Sequence, residues 1–166
     1  MKQRLDYRKS APQGVSALRH LQDYVEGCGL EHALLELVKT RASQINGCAY
    51  CLDMHTKDAR AAGETEQRLY TLPAWREMPF FSDRERAALA WTEALTLISE
   101  HDVDETLYEE VRKQFSDKEI ADLSLAIVAI NGWNRLAIPF KTPPGSYRPR
   151  KEKVEHVQVT PASMPN

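Results

Sequence analysis

Long hydrophobic runs are missing from this sequence. No segment approaches the roughly 18 uninterrupted apolar residues of a membrane span. The opening residues, Met1-Lys2-Gln3-Arg4-Leu5-Asp6-Tyr7-Arg8-Lys9, have neither the apolar core nor the small-residue cleavage site of a signal peptide. The expectation is a cytoplasmic protein without a membrane partner. An excess of basic charge is missing too. The formal net charge is −2, so nothing favours counterion release from a nucleic acid, and no nucleic-acid partner is expected. Cysteine is scarce, with three in 166 residues. An odd count in a reducing compartment does not make a structural disulfide framework. Alternating apolar and polar residues are absent over any useful length, which leaves no strand to propose, and a thioredoxin-type fold would need strands around the cysteines.

What is present reads as helices throughout. The 42% apolar and 28% charged residues are the mixture of one globular domain. Pro12 opens a helix whose apolar positions are Val15, Leu18, Leu21 and Val25, ended by Gly27-Cys28-Gly29. A second helix covers residues 31–45, with Ala33, Leu34, Leu37, Val38 and Ile45 on its apolar side. Asn46-Gly47 is a turn signal, and a third helix runs from Cys48 to Ala62 with Gly63 as its cap. A short helix over 65–71 follows, then an irregular connection bracketed by Pro73 and Pro79. Ser82-Asp83-Arg84-Glu85 and Ser116-Asp117-Lys118-Glu119 are capping boxes. The first opens a helix to about Ser99, and a helix over 105–115 comes next. The second opens a long helix through Ile120, Leu123, Leu125, Ile127, Val128, Ile130, Trp133, Leu136 and Ile138. Apolar on nearly every face, it belongs in the core or in a subunit contact. The fold class is all-α. Residues 1–140 form the helical domain, and 141–166 are a Pro-rich tail or oligomerisation arm, since six of the nine prolines lie from Pro139 onward. Phe140, Tyr147 and Val154 to Val159 are the anchors such an arm would use.

The chemistry concentrates in the third helix. At 100° per residue, Cys48, Cys51 and His55 fall within about 60° of arc. Cys48 lies at the helix start, where free N–H groups favour a thiolate, whereas Cys51 lies nearer His55, which can take or relay its proton. Either thiol could therefore be the nucleophile. On one continuous helix Glu36 would be about 18 Å from Cys48. If the chain reverses at Asn46-Gly47, residue 36 comes within a turn of His55 and can orient the imidazole. Structural zinc on Cys48, Cys51 and His55 wants a further ligand pair with short spacing. His20, His32, His101 and His156 are isolated, so neither metal nor cofactor is expected. Cys28, between two glycines, reads as a small packed residue. Asn131 and Asn134 read as bridges between helices, while Trp133, Asn134 and Arg135 are minor candidates for lining a pocket.

Glu36, eleven intervening residues, Cys48-Ala49-Tyr50-Cys51 and then His55 after three more resemble the core motif of the alkyl hydroperoxidase D-like proteins of the carboxymuconolactone decarboxylase superfamily. The flanking Arg41 to Gly47 and Leu52-Asp53-Met54, and the later Ile130 to Ala137, are similar to it as well, so the resemblance spans about residues 15–140. It implies a homo-oligomeric, thiol-dependent peroxidase that takes small hydroperoxides and an external thiol or dithiol reductant. It further implies that Cys51 attacks the peroxide, Cys48 resolves the sulfenic acid, and His55 with Glu36 relays the proton. One position departs: family members carry a second His before the second Cys, and here it is Tyr50, which titrates too high to shuttle protons at neutral pH. The rivals are a redox-sensing or metal-binding module and a lyase. The lyase branches of the superfamily lack the dithiol.

Overall fold

The structure, a computed structural model, describes residues 2–100 and 102–149. Among them it is all-α: α1 (Tyr7–Ser10), α2 (Pro12–Glu26), α3 (His32–Asn46), α4 (Ala49–Ala61), α5 (Glu66–Thr71), a 3-10 turn (Leu72–Ala74), α6 (Asp83–Thr96), α7 (Glu105–Arg112) and α8 (Asp117–Ala137). Both capping boxes form: Ser82 and Ser116 cap backbone N–H groups while Glu85 and Glu119 reach back. The helix opened by Ser82 stops at Thr96, a little short of the expected end, with Leu97 already out of helical geometry. The four-residue α1 has no apolar period to announce it. It is capped by the Asp6 carboxylate, and its Tyr7 ring lies 6.0 Å from that of Phe140, just beyond α8, whose carbonyl accepts the Arg4 N–H at 3.0 Å.

α3 runs through the middle, against α4, α6 and α8. Its burial is wider than one apolar stripe. Leu34, Leu35, Leu37, Val38 and Ala42 are buried, and so are Glu36, Lys39, Thr40 and Ser43. Ala33, expected on the apolar side, is exposed. One core cluster joins α3 to α6, α7 and α8 through Leu34, Val38, Trp91, Val111 and Leu123, and Cys28 packs at its margin as a free thiol. A smaller cluster gathers Leu37, Leu72, Trp75, Phe81 and Leu89. A third sets Cys48 and Cys51 against Ala42, Ile130 and Ala137.

Asn46 and Gly47 reverse the chain, as their sequence requires. Gly47 has φ +69°, a left-handed conformation that a side chain would strain, and its N–H closes α3 on Ser43 and Gln44. Asn46 Nδ2 donates to Asn131 Oδ1 (2.9 Å) and Asn134 Oδ1 (2.8 Å), and Asn134 Nδ2 donates to Ser43 Oγ (3.3 Å). These amides bridge α3 and α8, the structural role expected of them. α8 is less enclosed than its composition suggests: Leu125 and Val128 are exposed. Beyond it, residues 142–149 return along α4. The Gly145 N–H donates to Asp53, Lys57 Nζ to the Tyr147 carbonyl, and the Tyr147 hydroxyl to Asp58 (2.7 Å). The Val154 to Val159 anchors lie outside the described residues.

Candidate active site

α3 and α4 form an antiparallel pair, and the reversal brings Glu36 onto His55. The His55 Nδ1–H donates to Glu36 Oε2 at 2.9 Å, with both side chains buried. This leaves Nε2 as the nitrogen that can take a proton. The second Glu36 oxygen accepts from Lys39 Nζ at 3.0 Å, and Lys39 also pairs with Glu26. Burial alone would raise the Glu36 carboxyl. The hydrogen bond and charge of His55, then Lys39, outweigh it and hold the group near pKa 2. For Lys39 burial opposes the charge, and Glu36 and Glu26 outweigh it, so the ammonium is held protonated above its ordinary range.

Cys48 and Cys51 lie at bonding distance as a disulfide, with Cα atoms 5.3 Å apart. Cys48 is not inside the first turn of α4. It is the N-cap, in extended geometry, and its sulfur accepts the Cys51 N–H at 3.3 Å. The two sulfurs differ in access: Cys51 lines a cavity of about 960 Å³, and Cys48 does not. His55 and Glu36 open onto the same cavity. All four residues expected from the motif are therefore brought together, with Cys51, His55 and Glu36 on one cavity and Cys48 bonded to Cys51.

Several lining residues carried no clear signal in the sequence. Lys39 is one, although a lysine three places after Glu36 and beside Leu37 and Val38 is an oddity that could have been noticed. Asp58 lies one turn beyond His55 on the same face. It is raised mainly by burial, against the lowering effect of the Tyr147 hydroxyl bonded to it. Tyr147 is itself raised by burial and by that carboxylate. Of the late candidates Trp133 lines the cavity, while Asn134 and Arg135 do not. Among the described residues the ligand-type atoms that cluster are those of Glu36, His55 and Asp58, within 4.8 Å of one another. The two sulfurs are not part of that cluster, and Lys39 already occupies Glu36. This arrangement suits proton transfer beside a thiol better than the binding of a cation.

Comparison with known proteins bears on the family and the fold. The carboxymuconolactone decarboxylase family model matches residues 12–94. An uncharacterized protein of Bacillus subtilis (strain 168), YdfG, is 45% identical over 138 residues, 83% of this chain and 94% of its own length. The crystal structure of a protein of unknown function from Agrobacterium tumefaciens, described as a candidate antioxidant defence protein AhpD, superposes with a TM-score of 0.85 at 42% identity, covering 88% of this chain and 100% of that one. The debrominase Bmp8 shares the fold, with a TM-score of 0.75 at 18% identity, over 83% of this chain and 74% of its own.

Proposed function

The chain belongs to the carboxymuconolactone decarboxylase family, with an alkyl hydroperoxidase D-like fold, and we propose that it is a thiol-dependent peroxidase whose working dithiol is Cys51 and Cys48. The observation that carries the proposal is the difference between the sulfurs: Cys51 faces the cavity beside His55, and Cys48 stands behind it within bonding distance. In the reduced protein His55 Nε2 takes the Cys51 proton, with Glu36 holding the imidazole in the right tautomer. The thiolate attacks one peroxide oxygen, the O–O bond breaks, and the leaving alkoxide takes the proton back as an alcohol. Cys51 is now a sulfenic acid. The Cys48 sulfur displaces its hydroxyl, which leaves as water, and the disulfide forms. Two electrons have passed from the dithiol to the peroxide. An external dithiol returns them by exchange, which suits a reducing compartment such as the cytoplasm. Among the described residues no helix is long and apolar enough to cross a membrane. The exposed Leu125 and Val128 on α8 support self-association, which native mass measurement tests.

The test of the reaction is direct. The reduced protein is mixed with cumene hydroperoxide or hydrogen peroxide, and free thiols are counted before and after, in wild type and Cys51→Ser. Peroxide loss with disappearance of two thiols, absent in the variant, is the expected result. Intact thiols and no turnover would remove the peroxidase reading.

A further inference from the structure

The cavity before Cys51 is much larger than the smallest oxidant requires. Hydrogen peroxide is comparable in size to water, whose share of liquid volume is about 30 Å³. The cavity holds about 960 Å³, the upper end of the range for small-molecule sites. Met54, Ala61, Ala62, Trp133 and Ala137 give it apolar walls. A space of this size and lining beside a buried thiol has room for a carbon skeleton.

Its charges are unevenly matched. Lys39 is paired with Glu36 and Glu26, and Asp58 accepts the Tyr147 hydroxyl. Arg8 and Arg19 also line the cavity, and among the described residues neither guanidinium has a carboxylate partner. Arg8 is nevertheless held in place. It donates to the Tyr50 hydroxyl at 3.2 Å, and it lies 5.1 Å from the Tyr7 ring centre and 5.8 Å from that of Tyr50. Tyr50 immediately precedes Cys51 and packs on the cluster containing both sulfurs. Arg19 projects from the α2 face that also brings Gln22 and Glu26 to the cavity. A stacked guanidinium with one N–H committed still presents further donors in a fork suited to a carboxylate.

We propose that this cavity selects organic hydroperoxides that also carry a carboxylate, with the peroxide at Cys51 and the carboxylate at Arg8 and Arg19. The proposal rests on the peroxidase reading above and adds its substrate class. The reaction stays balanced as written: the hydroperoxide leaves as the corresponding hydroxy acid, the protein dithiol becomes a disulfide, and a dithiol in solution regenerates it. Both arginines are exposed, so salt weakens the preference.

The full-length protein is assayed with dithiothreitol as reductant, against linoleic acid hydroperoxide, its methyl ester and cumene hydroperoxide, all kept below their aggregation limits. The expected result is a kcat/KM for the acid at least tenfold above that for the ester. That ratio should fall as salt is raised, and approach one in the Arg8→Gln, Arg19→Gln double variant. Because the ratio is internal to each protein, a partly misfolded fraction does not change it. Acid and ester consumed equally by wild type, with cumene hydroperoxide also turned over, would overturn the carboxylate preference and leave the peroxidase standing. A tenfold ratio that persists in the double variant would also overturn the assignment to these arginines. Thiols left intact by all three hydroperoxides would overturn the peroxidase reading, and the substrate class with it.

Discussion

Lys39→Met should destabilise the protein by roughly 2–3 kcal/mol. Lys39 is 1% exposed and bonded to Glu36 and Glu26. Removing one member of a buried ion pair typically costs about 3–5 kcal/mol, because the other charge is left without its partner. Two features reduce the loss here. Glu36 keeps His55 at 2.9 Å, and the Glu26 side chain is 38% exposed and can rehydrate. Methionine follows much of the lysine stem, so little cavity is added. With a urea dependence of about 2 kcal/mol per molar, the unfolding midpoint should fall by about 1 M. The loss should also depend on pH in one direction. Without Lys39 the Glu36 carboxyl rises toward its ordinary range, so acid unfolding of the variant begins at a higher pH than in wild type. Equilibrium urea unfolding at several pH values measures both effects. A midpoint within about 0.2 M of wild type, or an unshifted acid limb, would refute the idea that the ammonium supports the site.

The wild type carries its own acid dependence. The Glu36 pKa is depressed from 4.5 to about 2, so its contribution is complete above about 4.5 and is lost as pH falls toward 2. The linkage is about 3 kcal/mol, and Glu36→Gln should flatten that limb in the same unfolding assay. If Cys51 is the attacking thiol, a sulfenic-acid trap should label peroxide-treated Cys48→Ser and leave Cys51→Ser unlabelled; the reverse pattern would exchange the two roles. Tyr147→Phe deletes the hydroxyl that donates to Asp58, and should lower stability by about 1 kcal/mol in thermal or urea unfolding. No change would mean that residues 142–149 are not held on α4 by that bond.

Elements that carry their own termination signals were legible from sequence. Ser82 with Glu85, Ser116 with Glu119, and Asn46-Gly47 each act over three or four residues, so local chemistry decides them. The meeting of Glu36 and His55 followed from that turn and helical periodicity together. The breadth of α3 burial did not follow, because it depends on α4, α6 and α8 closing round it, and a lysine in that position reads as solvated until its carboxylate partners are placed. Arg8 was hidden for a similar reason: α1 is too short for a period, and Arg8 reaches the site through Tyr50 on α4. Tyr147 reads from sequence as an anchor of an arm, but its Pro-rich surroundings do not show what it holds; its hydroxyl and carbonyl are tied to Asp58 and Lys57 of its own chain.

The sulfur that caps α4 is one of the two that would change oxidation state. A Cys48 thiolate would accept the Cys51 N–H as a charged acceptor at the positive end of the helix, whereas the disulfide sulfur accepts it as a neutral atom. Each turn of the cycle would then strengthen and weaken the start of the helix that carries His55. Slower amide exchange at Cys51 when Cys48 is ionised than in the disulfide form would be the mark of it.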